Sequence, residues 1–122
     1  MRKRFTREAE SASRLVHPNV VGVIDFGATD GGLPYIMMDF VDGRSLAEII
    51  DEGPLPPARV VAIARAVCEG LAYAQDAGVV HRDIKPANII MTGDNVPRIA
   101  DFGLAQTLDE GDVRMTSTGM AM

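Results

Sequence analysis

The chain has 122 residues, of which 47% are hydrophobic and 24% charged, and a formal net charge of −5. That is enough apolar material for a packed core, which excludes disorder as the default. The acidic balance excludes broad attraction to nucleic acid or an anionic membrane, and a lone cysteine, Cys68, excludes an intrachain disulfide and points to a reducing compartment.

The length suits one small domain or part of a larger one. The opening MRKRFTREAE has no apolar core after its charges, so it does not read as a secretory signal. The best membrane candidate, Val60 to Val67, is short and interrupted by Arg65. A cytoplasmic location, with no membrane segment in this chain, is the expectation. The basic cluster Arg2, Lys3, Arg4 and Arg7 reads as a solvated face.

From Phe5 to Val16 the apolar positions Phe5, Ala9, Ala12, Leu15 and Val16 recur at helical spacing. Glu8 lies roughly 60° from Phe5 on the wheel, bordering the buried face. Basic residues at the helix start oppose the macrodipole, so that end is expected to fray. His17-Pro18-Asn19 stops the helix, because a residue before proline avoids the α region; His17 reads as a loop hydrogen-bonder. Val20 to Phe26 is predicted as a strand, Asp30-Gly31-Gly32 as a turn, and Pro34 to Met38 as the antiparallel partner.

Ser45 and Glu48 have capping-box spacing, and Gly53 follows the short helix they open. Pro56-Pro57 precedes a long amphipathic helix through about Ala77, with Val60, Ala64, Val67, Cys68 and Leu71 predicted inward and Gly78 at its end. Cys68 thus reads as a small buried hydrophobe. Val79-Val80, Ile89-Ile90-Met91 and Arg98-Ile99-Ala100 read as very short strands, with Thr92 to Asn95 turning between the last two. From Leu108 the chain is polar and rich in turn formers, and a mobile loop is expected.

The tripeptide Asp-Phe-Gly occurs twice, at Asp25 and at Asp101. A given tripeptide turns up by chance in a chain this long about one time in a hundred, so either copy alone is weak evidence. Asp25-Phe26-Gly27 closes a predicted strand and reads as a strand end. The other copy follows His81-Arg82-Asp83-Ile84-Lys85-Pro86-Ala87-Asn88, with Asp101 thirteen residues after Asn88. This octapeptide resembles the catalytic loop of protein kinases, and Ile89 to Ala100 reads as the hairpin that separates the two motifs in that family.

The resemblance implies an α+β, protein-kinase-like fold, incomplete: the family's αC helix, the hairpin before the hinge, the hinge, αD, αE, the catalytic loop, the hairpin after it and the activation loop. It implies residues 1–38 as part of the N-lobe, 39–43 as the hinge, 44–103 as the start of the C-lobe and 104–122 as the activation loop. ATP, Mg2+ and a protein substrate bearing Ser or Thr are the implied ligands. Asp83 would accept or orient the proton of the attacking hydroxyl. Lys85, two residues on in an extended loop and so on the same side, would neutralise charge on the γ-phosphate. Asn88 and Asp101 are hard oxygen donors of the kind magnesium prefers.

Phe5 to Ala9 with Leu15 to Val21 is similar to the αC helix and its exit, which makes Glu8 the glutamate that pairs with a strand lysine. Tyr35 to Gly43 looks like the strand and hinge that hold adenine. Met38 then falls at the gatekeeper position, the backbone of Asp39 and Val41 faces the base, and Ile90 forms the pocket floor. Arg82 beside the catalytic aspartate marks kinases whose loop phosphate pairs with that arginine, and Thr116, Ser117 and Thr118 lie in the matching loop.

Lys85-Pro86 resembles the serine/threonine class, and the closest flavour is the bacterial eukaryotic-like kinases. The glycine-rich loop and its strand lysine do not occur within these residues, nor do the large C-lobe helices. The isolated chain is therefore expected to be inactive and of poor stability, with exposed strand edges, and to derive from a longer kinase gene. The rival reading is a non-catalytic, pseudokinase-like module that binds nucleotide or a partner. A small-molecule phosphotransferase is disfavoured by the catalytic-loop sequence.

Overall fold

The computed structural model describes residues 3–81 and 83–100, and the side chains from Thr6 onward apart from Glu8. Arg82, Asp101, Thr116, Ser117, Thr118 and the loop expected from Leu108 lie outside the described residues.

Helix α1 (Lys3–Ser13) buries Ala9 and Ala12, as its periodicity predicts. It ends earlier than expected. The N–H groups of Arg14 and Leu15 bond three residues back, to Ser11 and Ala12 at 3.2 and 3.1 Å, and this tighter turn breaks the helical phase. Leu15 stays buried, but Val16, expected inward, is 82% exposed. Its N–H is taken by the Tyr73 hydroxyl at 2.9 Å. His17 is the loop hydrogen-bonder its position suggested: its Nδ1 accepts from the Asn19 N–H at 3.0 Å, and its ring rests on Tyr73.

Strand β1 (Val23–Ala28) starts later than predicted and pairs antiparallel with β2 (Pro34–Met38). The register slips between Val23 and Asp25, and Ile24 between them is exposed. Val20 and Val21 do not join this hairpin because they contact a different strand. Val20 bridges Ile99 in parallel, the Val21 N–H donates to the Ile99 carbonyl at 2.8 Å, and the Ile99 N–H donates to Asn19 at 2.8 Å. The hairpin turn closes through the Thr29 N–H on the Leu33 carbonyl, with Gly32 at φ 83°, where a side chain would be strained.

After residues 39–42 comes β3 (Gly43–Ser45), which the sequence did not suggest. It pairs with β4 (Ile89–Thr92), and β4 pairs with β5 (Pro97–Ile99), giving a three-stranded antiparallel sheet in the order β3-β4-β5. Only glycine fits at position 43, since a Cβ there would overlap the Met91 carbonyl. Helix α2 (Leu46–Asp51) opens on Ser45, whose Oγ accepts from the Glu48 N–H at 3.1 Å. Arg44 reaches over from β3 to pair with Glu52 at the end of α2 and with Glu48. That contact raises the pKa of Arg44 and lowers that of Glu52, chiefly through their hydrogen bond.

Helix α3 (Pro57–Asp76) buries Ile63, Val67, Gly70 and Ala74. The expected stripe of Val60, Ala64, Val67, Cys68 and Leu71 is corrected: Val60, Ala64 and Cys68 are exposed. The buried face is rotated by roughly 70° from the predicted one. Apolar residues cover more than one side of this helix, and contact with β5 selects among them. Gly70 marks the closest approach, where an added Cβ would lie 3.0 Å from Ile99 Cδ1 and 3.1 Å from the Asn19 carbonyl oxygen. The helix ends in a Schellman turn, with Val79 N–H to Ala74 and Gly78 N–H to Gln75 at 2.8 and 2.9 Å and Gly78 at φ 84°. The strand expected at Val79-Val80 therefore does not form, because the Val79 N–H is used to close the helix.

Two apolar clusters result. One gathers Ala9, Ala12, Val21, Ile36, Met38, Val41, Ile90 and Ala100 between α1, the hairpin and the sheet. The other joins α2 and α3 to Val20, Ile89, Met91 and Ile99. Ile90 and its neighbours Ile89 and Met91 thus face opposite sides, as strand alternation requires. Among the described residues no helix is long and apolar enough to cross a membrane.

Candidate active site

The loop between α3 and β4 holds the candidate catalytic residues Asp83, Lys85 and Asn88. Lys85 is extended, at φ −162° and ψ 162°, and Pro86 opens a single 3-10 turn over Pro86–Asn88. Proline suits that place because its missing N–H would find no partner in a first turn. The turn closes through the Asn88 N–H on the Lys85 carbonyl at 2.9 Å. The Asn88 side chain then reaches back, its Nδ2 donating to the Asp83 backbone carbonyl at 2.7 Å. The loop from Asp83 to Asn88 is thereby cinched at both ends.

Lys85 Nζ lies 3.1 Å from Asp83 Oδ2, and both side chains are about half exposed, at 53% and 52%. The two groups share one side of the loop, as their spacing predicts. An acceptor and a cation are held together at the surface, where a hydroxyl and a phosphate can reach them.

His81 organises the rest. Its Nδ1 accepts from the Asp83 N–H at 3.0 Å, while its Nε2 donates to the Ala100 carbonyl at 2.8 Å. Accepting on one nitrogen and donating from the other requires the neutral ring. Burial lowers its pKa below the ordinary 6.5, outweighing the Ala100 carbonyl and Asp83, which raise it. The Ala100 N–H in turn donates to the Asn88 carbonyl at 2.9 Å. The residue before Asp101 is thus tied to both His81 and Asn88. His81 stands in the octapeptide with no role read from its sequence alone. Its signal was the two-residue spacing to Asp83, which allows a side chain to accept the later N–H.

Asn88 fits a metal ligand on its own chemistry. Its Nδ2 is committed to Asp83, so Oδ1 is the atom turned to other partners, and an amide oxygen is a donor magnesium accepts. Among the described residues there is no group of three His, Cys, Asp or Glu that could hold a metal. The second expected ligand, Asp101, lies outside them.

On the hinge side the structure brings Met38, Val41 and Ile90 into one buried cluster with Ala100. They come from β2, the stretch between β2 and β3, and β4, and meet because β3 turns the chain back alongside β4 at Ser45 and Ile90. The Asp39 N–H is taken by the Gly22 carbonyl at 2.9 Å, so its own carbonyl oxygen is what it can offer a ligand. Glu8 sits on α1, beside Ala9 of that cluster in sequence, but its side chain is not described.

Two residues without a sequence signature dock the α1 exit onto β5. Asn19 is buried and its Nδ2 donates to the Pro97 carbonyl at 2.9 Å, while Arg98 Nη2 donates to the Val20 carbonyl at 2.9 Å. Each spans 78 residues of sequence, and no local pattern encodes such a contact.

Comparisons with known proteins agree with this geometry. A family model described as "Protein kinase domain" matches residues 1–121. A probable serine/threonine-protein kinase of Corynebacterium efficiens is 41% identical over 121 residues, which cover 96% of this chain and 18% of that protein. The crystal structure of the Mycobacterium tuberculosis PknI kinase domain superposes with a TM-score of 0.77 at 41% identity, covering 89% of this chain and 48% of that one. Rad53 in complex with AMP-PNP gives a TM-score of 0.76 at 33% identity, covering 82% and 28%. The chain spans less than a fifth of the length of the curated relatives it matches, 18% and 19% for the first two.

Proposed function

This chain belongs to the protein kinase domain family, and from that premise we propose that the protein carrying it is a serine/threonine kinase that moves the γ-phosphate of ATP to protein hydroxyls. Its relatives are named serine/threonine-protein kinases at about 40% identity. The observation that carries the reading is the Asp83–Lys85 pair, 3.1 Å apart on a loop cinched by Asn88 and His81.

In this reading residues 1–38 belong to the N-lobe, 39–43 form the hinge, 44–103 begin the C-lobe and 104–122 form the activation loop. Asp83 orients the substrate hydroxyl and takes its proton, and Lys85 turns from Asp83 to the transferring phosphate as charge builds there. His81 holds the Asp83 backbone by its N–H, so the carboxylate is presented from a fixed stem. Asn88 Oδ1 and Asp101 hold the metal, and Glu8 pairs with a lysine from elsewhere in the protein. Magnesium, when bound, neutralises phosphate charge. Met38 and Ile90 bound the adenine slot, and the backbone of Asp39 and Val41 hydrogen-bonds the base. A comparable kinase, Rad53, was solved with an ATP analogue, which supports nucleotide in that slot. Arg82 receives a phosphate on Thr116, Ser117 or Thr118. The reaction takes place in the cytoplasm.

The test is transfer of labelled phosphate from ATP to a generic protein substrate by the full-length protein, with and without Mg2+. Metal-dependent transfer that Asp83→Asn abolishes supports the assignment. Nucleotide binding without transfer would favour the non-catalytic reading. The 122 residues alone are expected to transfer nothing, since they contain neither the glycine-rich loop nor the strand lysine. Mass spectrometry of the active protein checks the three loop hydroxyls, and all three bare would remove the role given to Arg82.

A further inference from the structure

Arg98 lies on β5, three residues before Asp101. Its Nη2 is bonded to the Val20 carbonyl, but its Nε is buried and meets no acceptor among the described residues. Asp39 directly follows Met38, and its carboxylate lies over Gly22, where an added Cβ would come within 2.5 Å of Oδ2. No hydrogen bond or ion pair of that carboxylate occurs among the described residues. Both side chains line one cavity of about 310 Å³, together with Leu15, Val20 and Val23.

A buried N–H of a guanidinium without an acceptor is unfavourable, and so is a half-buried carboxylate without a donor. Among the described residues, Arg98, whose buried Nε lacks an acceptor, and Asp39, whose carboxylate lacks a protein donor, line the same cavity. Both reach it from anchored backbone: Asp39 through its N–H on Gly22, Arg98 through the β4–β5 ladder. Closing the pair would draw the Arg98 guanidinium, now bonded to the Val20 carbonyl, toward Asp39.

We propose that Asp39 and Arg98 close on each other across this cavity as a latch, and that both are positioning residues for nucleotide. The inference rests on the kinase reading. Asp39 carries the carbonyl turned to adenine, and Arg98 sits on the strand that leads to the metal ligand Asp101. The latch fixes the adenine end of the site against its metal end. Gly22 leaves the carboxylate room to lie where it does. Neither residue touches the transferring phosphate, so the effect falls on nucleotide affinity and not on the chemical step.

The test is a double-mutant cycle in the full-length protein, with Asp39→Asn, Arg98→Met and the pair. Two quantities are read: the Kd for AMP-PNP with Mg2+ by calorimetry, and the thermal midpoint. Each single change is expected to raise Kd by about three- to thirtyfold, and the double change no more than the worse single. For Arg98→Met the rate at saturating ATP should stay within about twofold of wild type. Should Arg98→Met fail to fold, Arg98→Lys, which keeps the charge and a reach to Asp39, is expected to hold Kd within about threefold of wild type while Asp39→Asn does not. Effects on Kd that simply add would overturn the latch. Coupling in thermal midpoint without coupling in Kd would reduce it to a structural pair and overturn the positioning role. Wild-type protein that binds AMP-PNP but transfers no phosphate would sink the kinase reading while the cycle still scores the latch. Wild-type protein that binds no nucleotide would end both.

Discussion

The two ends of the candidate site are built differently. In the loop after α3, Asp83 and Lys85 stand about half exposed, and polar bonds from His81 and Asn88 hold them. At the hinge side, Met38, Val41 and Ile90 are buried, and packing holds them. Hydrogen bonds fix direction and make reactive atoms available to solvent. Apolar packing fixes distance and keeps water out. The proposed function, which asks one end to orient a proton and the other to grip a flat base, calls for both, and a substitution should show different symptoms at each.

The largest contrast is expected from Asp83→Asn in the full-length protein. Phosphoryl transfer should fall by about 10²–10⁴-fold, while the thermal midpoint stays near wild type because the side chain is half exposed. A large drop in stability would mean that this loop is held by packing after all. Next, Ile90→Ala should lower stability by about 2–5 kcal/mol in chemical denaturation, since it empties space between Met38, Val41 and Ala100. Unchanged stability with weakened nucleotide binding would show the slot to be looser than the buried cluster implies. Ser45→Ala removes the cap of α2 just after the hinge and should cost about 1 kcal/mol. No loss would indicate that the Arg44 clasp to Glu48 and Glu52 suffices to start that helix.

The smallest expected effect is on pH dependence. Burial holds the His81 pKa below 6.5, so the unfolded chain binds this proton more readily than the folded one. Its contribution is complete above about 6.5 and is lost as pH falls below that value toward the folded pKa. Thermal midpoints from pH 7.5 to 5 should decline, and His81→Gln should flatten the decline. An equal slope in that variant would assign it to other groups.

Much of this was legible because it is local. Ser45 and Glu48 form the cap their spacing predicts, β2 spans the predicted Pro34 to Met38, and Asp83 and Lys85 meet because alternate residues of an extended loop share a side. The errors have one cause. Val16 and Cys68 were assigned from helical periodicity and Val79 from a short apolar run, and each was redirected by a distant or competing partner. The Tyr73 hydroxyl takes the Val16 N–H, β5 draws Gly70 and not Cys68 inward, and the Schellman turn takes the Val79 N–H. β3 was invisible because three residues that begin with a glycine carry no pattern of their own; the pairing exists because β4 lies alongside.

By itself the sequence determined the chemistry: the acid, the cation, the amide donor and their spacing are covalent facts that any fold of this loop must carry. Tertiary structure decided which atoms of those residues stay available. His81 is neutral because two backbone partners and burial demand it, Asn88 offers Oδ1 because Asp83 takes its Nδ2, and Asp39 offers its carbonyl because Gly22 takes its N–H. The reason is that a hydrogen-bonding group's availability depends on what lies within about 3 Å of it, and for most of this site that neighbour comes from another element of the fold.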